Sequence, residues 1–306
     1  MLPLFKRKTW IEEPLKDPHV IGFGSTKGGA GRTTMAIEIG SLIAFISEKR
    51  TAIIDWDVVN PRLTQRAYKS LPMRGQTLVK VITAKNFERA LKNVSLHEVS
   101  LSQTSRVSVF PALSYEDIDN GTVDEYFNMM YEKPEEYIKR CKTLIKFLRN
   151  RYEYIINDYP AITWVALGHL TLSINMLRVT AGNLVIVVDS SPWSAELLSS
   201  KLILPKIQDL DIGALVVNMV KPSADAVNWA KSVFKPVCER IRASNFVILP
   251  FDPTFYDAGI GRLKDVISVS VSPVKSYSRS ARYLYPLVDR FLKNENVPKC
   301  WYIGPQ

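Results

Sequence analysis

Cysteine and histidine are scarce in this sequence, and their spacing excludes the sites that depend on them. Three cysteines and three histidines occur among 306 residues, and no two cysteines form a CxxC pair. The six residues are scattered along the chain: Cys141, Cys238, Cys300, His19, His97 and His169. An odd, scattered set of this kind argues against a disulfide framework and against a zinc site. We therefore expect three unpaired thiols, buried or on the surface.

Long apolar runs are lacking as well. The most apolar stretches, residues 161–172 and 184–188, are far shorter than the roughly 20 residues that cross a bilayer. Residues 1–8 carry basic side chains but no apolar run of the length that a secretory signal needs. The hydrophobic fraction of 46% is nonetheless large enough to build a globular core. These features predict a cytoplasmic, globular protein.

Negative charge is in deficit. The chain has 40 Lys and Arg residues against 30 Asp and Glu residues, which gives a formal net charge of +10. A basic surface attracts polyanions such as nucleic acid. Many basic proteins do not bind DNA, however, so charge alone leaves a DNA-binding surface and a merely solvated one equally open.

Apolar segments alternate with amphipathic ones along most of the chain. The predicted strands are residues 19–25, 51–56, 106–110, 152–159, 183–189, 212–218 and 245–250. The predicted helices are residues 33–48, 134–151, 194–208, 224–242 and 275–292. This alternation predicts an α/β fold, a mostly parallel twisted sheet flanked by helices in a single domain. We expect the domain at 19–293, between an N-terminal extension at 1–18 and a C-terminal tail at 294–306.

Glycine is concentrated where the first predicted strand meets the first predicted helix. Residues 25–34 read Ser-Thr-Lys-Gly-Gly-Ala-Gly-Arg-Thr-Thr. The glycines let backbone N–H groups turn toward an anion, and the positive end of the helix dipole adds to the attraction. The strict Walker pattern fails, because Thr26 replaces its first glycine and Arg32 its lysine. The dinucleotide pattern G-x-G-x-x-G also fails, because Lys27 stands where its third glycine should be.

This segment resembles the deviant Walker A motif of the ParA/MinD family, K-G-G-x-G-K-[ST]-[ST]. The aligned residues are Lys27, Gly28, Gly29, Ala30, Gly31, Arg32, Thr33 and Thr34, with Arg32 at the second lysine. The resemblance implies a P-loop NTPase that binds ATP and Mg²⁺, with Thr33 as a magnesium ligand. It also implies a homodimer with ATP sandwiched between protomers, in which Lys27 acts on the partner's nucleotide.

Arg32 is a departure from the family pattern. In the family, the second lysine bridges the β- and γ-phosphates, whereas a guanidinium keeps the charge but is planar and larger. ATP binding and ATP hydrolysis are therefore separate expectations. Two alternatives stay open: a weak or partner-stimulated ATPase, and a nucleotide-binding interaction protein that hydrolyses little or nothing.

Two further motifs supply carboxylates. Asp55 and Asp57 end the second predicted strand and resemble the family's D-x-D switch element. The resemblance implies that Asp57 orients the attacking water and contacts magnesium, with Asp55 as support. Asp158, which precedes Tyr-Pro, resembles Walker B and implies a magnesium contact through water. Without the other motifs, the same residues are typical of a solvated strand end and of a turn.

Two later segments resemble the family's base-binding strands. The resemblance implies that Asn218 contacts adenine and that Pro250 and Asp252 line the base. Asn218 as a strand cap and Asp252 as a turn residue are the alternatives.

Basic residues concentrate in the helix at 134–151 and in the last third of the chain. The resemblance to ParA-type proteins implies that the C-terminal region holds DNA non-specifically, and a solvated basic face is the alternative. The candidates are Lys231, Lys235, Arg240, Arg242, Arg262, Lys264, Lys275, Arg279 and Arg282.

The C-terminal tail bears on the choice between DNA and a membrane. MinD-type relatives end in a membrane-binding helix, but the two prolines and one glycine in residues 294–306 disfavour a helix there. A membrane is therefore ranked below DNA, and residues 301–303 are expected to pack back or to touch a partner. The resemblance as a whole implies an ATP-dependent dimerising switch for DNA partition or intracellular positioning, stimulated by another protein.

Overall fold

A computed structural model describes residues 12–101, 105–161, 170–201, 203–259, 262, 267–295 and 299–306. In this part of the chain one sheet contains nine strands. They are β1 (Val20–Ser25), β2 (Thr51–Asp55), β3 (His97–Ser100), β4 (Arg106–Phe110), β5 (Tyr154–Asp158), β6 (Asn183–Asp189), β7 (Ile212–Val220), β8 (Asn245–Pro250) and β9 (Trp301–Ile303). Their order across the sheet is β3-β4-β2-β5-β1-β6-β7-β8-β9.

Strand pairing confirms the predicted mostly parallel sheet. Every neighbouring pair is parallel except β3 with β4, which is antiparallel. The sequence did not predict β3, because its residues are mostly exposed and form no apolar run. The central strand β1 lies between β5 and β6, where the strand order changes direction. In a sheet of this kind, ligands bind at the carboxyl ends of the strands beside such a point.

Helices cover both faces of the sheet. They are α1 (Arg32–Ser47), α2 (Arg62–Tyr68), α3 (Leu78–Thr83), α4 (Phe87–Lys92), α5 (Tyr115–Asp119), α6 (Thr122–Glu132), α7 (Pro134–Arg149), α8 (Leu170–Thr180), α9 (Pro192–Leu198), α10 (Leu204–Ile207), α11 (Ala224–Arg240), α12 (Pro253–Gly259) and α13 (Ala281–Leu292). None of these described helices has both the length and the apolar character needed to cross a membrane.

Two hydrophobic cores follow from the alternation of side chains along the strands. In β1, Val20 points into one core, and Ile21 and Phe23 point into the other. The first core includes residues of α7, α8 and α11, and the second includes residues of α1 and α13. Burial on both faces explains why the central strands read as continuous apolar runs.

Two predicted helices are shorter in the structure than in the sequence analysis. The helix predicted at 194–208 is divided into α9 and α10, and Pro205 lies in the first turn of α10. Proline is favoured in the first turn of a helix, so Pro205 is suited to the start of a separate helix, although α11 and α13 each contain an interior proline. The helix predicted at 275–292 starts as a 3₁₀ helix, Pro273–Tyr277, and α13 begins only at Ala281.

The C-terminal residues add a strand to the sheet. Trp301–Ile303 form β9, which pairs in parallel with β8. Cys300, just before β9, forms a disulfide with Cys238 of α11, and their Cα atoms are 6.1 Å apart. The expectation of three unpaired thiols was therefore wrong, because distance in sequence does not limit contact across a sheet edge. Only Cys141 is a buried free thiol in the described chain. The domain boundaries stay a prediction, although β9 argues for including the tail.

Candidate functional site

The glycine-rich loop joins β1 to α1. β1 ends at Ser25 and α1 begins at Arg32, close to the predicted bounds. Gly29 and Gly31 have φ angles of 78° and 90°, in the left-handed region that favours glycine. A side chain at Gly31 would also collide with the amide of Asn218. The path of the loop therefore depends on glycine at these two positions.

The first turn of α1 is suited to an anion. No side chain caps its N-terminus, and the first turn contains no acidic residue. The first backbone N–H groups of a helix have no partner within the helix. Together with the helix dipole, they favour a negatively charged ligand at this end.

A cavity of about 670 Å³ lies over the loop. Small-molecule sites commonly measure roughly 300–1,000 Å³, so this volume suits a ligand of nucleotide size. Of the predicted residues, the described lining includes Gly28, Gly29, Ala30, Gly31, Arg32, Thr33, Thr34, Asp57, Asn218 and Asp252. The structure thus brings most of the predicted site to one place.

The Arg32 side chain turns back toward the ends of three neighbouring strands. Its Nη2 donates to Asp57 Oδ2 at 2.9 Å, its Nε to Asp158 Oδ1 at 3.0 Å, and its Nη1 to Ser25 Oγ at 3.0 Å. The Arg32 side chain is only 10% exposed. It therefore forms a buried, charge-assisted network with the two carboxylates that the sequence assigned to magnesium.

Asp158 is fully buried at the end of β5. Burial raises its pKa, and the charge of Arg32, followed by a hydrogen bond from Thr33, opposes that rise without cancelling it. Its second oxygen, Oδ2, has no hydrogen-bond partner among the described residues. The pair with Arg32 is therefore the main compensation for this buried carboxylate.

Asp55 supports the loop that carries Asp57. Its Oδ2 accepts from the backbone N–H and the hydroxyl of Thr64 at 2.9 and 2.7 Å, and its Oδ1 accepts from the N–H of Asp57 at 3.1 Å. Burial, and then the charge of Asp158, raises the pKa of Asp55 well above its ordinary value. Asp55 is absent from the described cavity lining. Its contacts fit the supporting role that the sequence suggested.

Lys27 is part of the loop and forms an ion pair within its own chain. Its Nζ is 2.5 Å from Oδ2 of Asp189, at the end of β6. Asp189 also accepts from the hydroxyls of Ser191 and Ser194. Burial alone would raise the pKa of Asp189, but the hydrogen bonds from Lys27 and the serines outweigh it and lower the pKa. Any action of Lys27 on a partner protomer requires that this ion pair open.

The predicted base-binding residues have mixed positions. Asn218 lines the cavity, and its Nδ2 donates to the carbonyl of Ala30 at 3.0 Å, which ties β7 to the loop. Asp252 also lines the cavity, but its oxygens accept from the N–H of Thr254, the hydroxyl of Ser278 and the N–H of Ser280. Pro250 ends β8 and is not part of the described lining.

Sequence reasoning assigned no role to several residues of the cavity, among them three aromatic residues after β8. Phe251 and Tyr256 are 39% and 53% exposed, and their ring centroids are 6.2 Å apart. Phe255 lies with them in the lining. The aromatic residues that follow β8 were the signal available in the sequence.

Two further lining residues without a predicted role are arginines of α2. Arg62 and Arg66 both line the cavity, at the i, i+4 spacing that places side chains on one helix face. Arg66 is 3.5 Å from the buried Glu38 carboxylate, and its Nε has no hydrogen-bond partner among the described residues. The cavity thus has cations besides Arg32.

Several basic residues of α7 serve internal contacts. Arg140 donates to the carbonyls of Ile82 and Ala84, and Arg149 donates to Asp17 Oδ2 and to the carbonyls of Tyr152 and Glu153. Such residues tie α7 to its neighbours, so they do not form a surface dedicated to polyanions.

The candidate DNA-binding residues do not form one patch. Lys231, Lys235 and Arg240 lie on α11, which packs in the first core, whereas Arg282 lies on α13, which packs in the second. The two groups therefore face opposite sides of the sheet. Lys275 and Arg279 precede α13, and Arg242 follows α11. Arg262 pairs with Asp257 at 3.4 Å, and Lys264 lies outside the described residues.

Comparisons with known proteins agree with this geometry. The AAA domain family matches residues 18–210. The structure resembles the cell division ATPase MinD of Pyrococcus furiosus at 18% identity and a TM-score of 0.62, covering 91% of this chain and 100% of that one. It also resembles MinD of Pyrococcus horikoshii, complexed with Mg-ADP, at 18% identity and a TM-score of 0.60, covering 91% of this chain and 97% of that one. A third similar structure is a putative plasmid partition protein of Borrelia burgdorferi bound to AMPPNP. Its identity is 18% and its TM-score 0.61, and the match covers 91% of this chain and 100% of that one. A search of curated protein sequences found no match.

Proposed function

This chain belongs to the AAA domain family and to its ParA/MinD-type P-loop ATPases, and from that premise we propose that it binds an adenine nucleotide over residues 25–34. The observation that carries the proposal is the uncapped N-terminus of α1 at the floor of a cavity of about 670 Å³. Phosphates would accept hydrogen bonds from the loop N–H groups. Arg62 and Arg66 would add positive charge, and Phe251 and Tyr256 would offer aromatic faces to the base.

The nucleotide is proposed to control assembly of a homodimer. Lys27 is 39% exposed and lies next to the cavity, which suits a residue that reaches across an interface. A second protomer with ATP would have to compete with Asp189 for its ammonium group. ATP would therefore favour the dimer, because the attraction between Lys27 and the phosphates would offset the loss of its ion pair with Asp189.

Dimerisation is expected to depend on ATP and on Lys27. Light scattering after gel filtration should give a monomer mass without nucleotide and a dimer mass with ATP, whether or not magnesium is present. Lys27→Ala should still bind nucleotide but should weaken ATP-driven association by about tenfold or more. Lys16→Ala, which removes an exposed lysine paired with Asp211, is the matched control and should dimerise normally. An unchanged mass on addition of ATP would contradict the proposal.

Slow hydrolysis is the second part of the proposal. Asp57, the residue assigned to the attacking water, already accepts a hydrogen bond from Arg32. A carboxylate engaged in this way is a poorer acceptor for water. The arrangement favours a switch with little basal hydrolysis, which a stimulating protein partner would accelerate by rearranging Arg32.

We further propose that the ATP-bound dimer holds DNA non-specifically, in DNA segregation or intracellular positioning. The net charge of +10 and the exposed side chains of Lys235, Arg240 and Arg242 support this choice. These three residues lie on or next to α11, on one side of the sheet, where they would form one phosphate-binding surface. The Borrelia burgdorferi neighbour is described as a plasmid partition protein, which is in line with this role.

A double substitution on α11 tests the DNA proposal. Removing two phosphate contacts with Lys235→Ala/Arg240→Ala should weaken DNA binding and lower the slope of log affinity against log salt by about 2. The matched control is Lys139→Ala/Lys146→Ala, which removes the same charge from exposed positions of α7. Fluorescence anisotropy with a random-sequence duplex and ATP would measure both. Equal losses in the two variants would show general electrostatics, and no loss would exclude the α11 surface.

A further inference from the structure

The position of Arg32 bears on which cation this site uses. Its guanidinium lies among the carboxyl ends of β1, β2 and β5 and contacts Ser25, Asp57 and Asp158 at 2.9–3.0 Å. Arg32 as a whole is 9% exposed, yet it lines the cavity. A positive group thus occupies the point where two acidic motifs converge.

Magnesium would need the same atoms. Hydroxyl and carboxylate oxygens are the ligands that Mg²⁺ prefers, and Thr33, Asp57 and Asp158 supply that chemistry. However, Asp57 Oδ2 and Asp158 Oδ1 each accept from Arg32, and Asp57 Oδ1 accepts from the N–H of Asn60 at 3.0 Å. The fourth oxygen, Asp158 Oδ2, accepts no hydrogen bond among the described residues, but it is buried. A divalent ion at these oxygens would meet the guanidinium. The residues therefore do not fit Mg²⁺ while Arg32 holds this position.

Displacing Arg32 would be costly. Asp158 is fully buried, so removal of its cation would leave an uncompensated charge in the interior. Asp57 is the second carboxylate that would lose this cation. The local charge balance thus favours a cation that is part of the chain.

We propose that the Arg32 guanidinium takes the place of magnesium, so that this chain binds its nucleotide without a divalent cation. The inference rests on the proposed nucleotide site. A guanidinium has five N–H donors, and three of them are used by Ser25, Asp57 and Asp158. The two remaining donors are available for a phosphate oxygen at the cavity. Arg62 supplies additional positive charge at the cavity, whereas the charge of Arg66 is balanced by Glu38 at 3.5 Å.

Nucleotide affinity with and without magnesium tests the proposal directly. Calorimetric titration of the wild-type protein with ADP and with ATP, in excess Mg²⁺ or in EDTA, should give affinities within about threefold of each other. Arg32→Lys should bind about tenfold more tightly with Mg²⁺ than without it, because the compact ammonium leaves both carboxylates to the metal. Arg50→Lys is the matched control, since this exposed arginine pairs with Glu153, is absent from the described cavity lining and should leave the binding insensitive to Mg²⁺.

The outcomes separate this proposal from the nucleotide site itself. A wild-type affinity that falls more than about threefold in EDTA would overturn the magnesium inference and leave the nucleotide site intact. Equal insensitivity in wild type and Arg32→Lys would overturn the assignment to Arg32. No binding of ADP or ATP in either buffer would overturn the proposed function, and with it the inference.

A second measurement needs no nucleotide. In Arg32→Ala, Mg²⁺ should occupy the vacated position and raise the melting temperature by about 3 °C or more. The wild-type protein should show no such rise, and Na⁺ at equal ionic strength should have no effect on either. A rise of the same size in the wild type would show that Mg²⁺ binds beside Arg32 and would overturn the proposal. No rise in the variant would mean that the carboxylates do not form a metal site even when free, which would also overturn it.

Discussion

Arg32→Ala is expected to destabilise the nucleotide-free protein by roughly 3–5 kcal/mol, the usual cost of removing one partner of a buried ion pair. The variant would leave Asp158 fully buried without its cation and would free Asp57 from its contact. A loss of this size is a large fraction of the roughly 5–15 kcal/mol that stabilises a typical domain. Urea unfolding followed by circular dichroism would measure it.

The loss should also increase with pH. Burial raises the pKa of Asp158 even beside Arg32, and without Arg32 the folded-state pKa should rise further. A carboxyl whose folded pKa exceeds its unfolded value, about 3.9, loses stability as the pH rises through the interval between the two. Variant and wild type should therefore converge below about pH 4 and differ most near neutrality.

An exposed ion pair provides the control. Arg50 pairs with Glu153 at 3.3 Å, and its side chain is 68% exposed. Arg50→Ala should change the free energy of unfolding by less than about 1 kcal/mol, with little dependence on pH. If Arg32→Ala behaved like Arg50→Ala, the network around Asp158 would not be important for stability.

Arg32→Lys is expected to raise basal ATP hydrolysis about tenfold or more, in the presence of Mg²⁺. Lysine keeps the charge but lacks the planar fork that holds Asp57 and Asp158 together. Asp57 would then be available to orient water. Phosphate release from the purified protein, at saturating ATP, would measure the change.

The role of Asp57 is separated by a double variant. Adding Asp57→Ala to Arg32→Lys should return hydrolysis to the wild-type level, because the group that orients water is gone. If the wild-type protein already hydrolyses ATP as fast as Arg32→Lys, the restraint assigned to Arg32 is absent. If the double variant stays active, another residue orients the water.

Local patterns predicted the parts of the site that depend on neighbouring residues. The glycines at 28, 29 and 31 mark the loop because they lie between an apolar strand and a helix, and that context is visible in the sequence. Asp57 and Asp158 were identified by the resemblance of their strand-end segments to family motifs. The parallel strands then bring these ends together, as the general geometry of such sheets requires.

Contacts between distant segments could not be predicted in the same way. The direction of the Arg32 side chain depends on Ser25, Asp57 and Asp158 together, and these lie at or just after the ends of three strands. The basic residues near α11 and α13 looked like one cluster in the sequence, but the sheet passes between them. The Cys238–Cys300 pair likewise depends on β9 lying next to β8. A strand of three residues is too short to be predicted from the sequence pattern.

The pairing of β9 with β8 also affects self-association. An unpaired strand edge is a template for pairing with another chain, and short edge strands are one way in which proteins limit that hazard. β9 has only three residues and covers β8 from Asn245 to Val247. The disulfide between Cys300 and Cys238 links β9 to α11 and so holds the strand against β8. Residues 301–303 thus leave less of the β8 edge open to pairing with another chain.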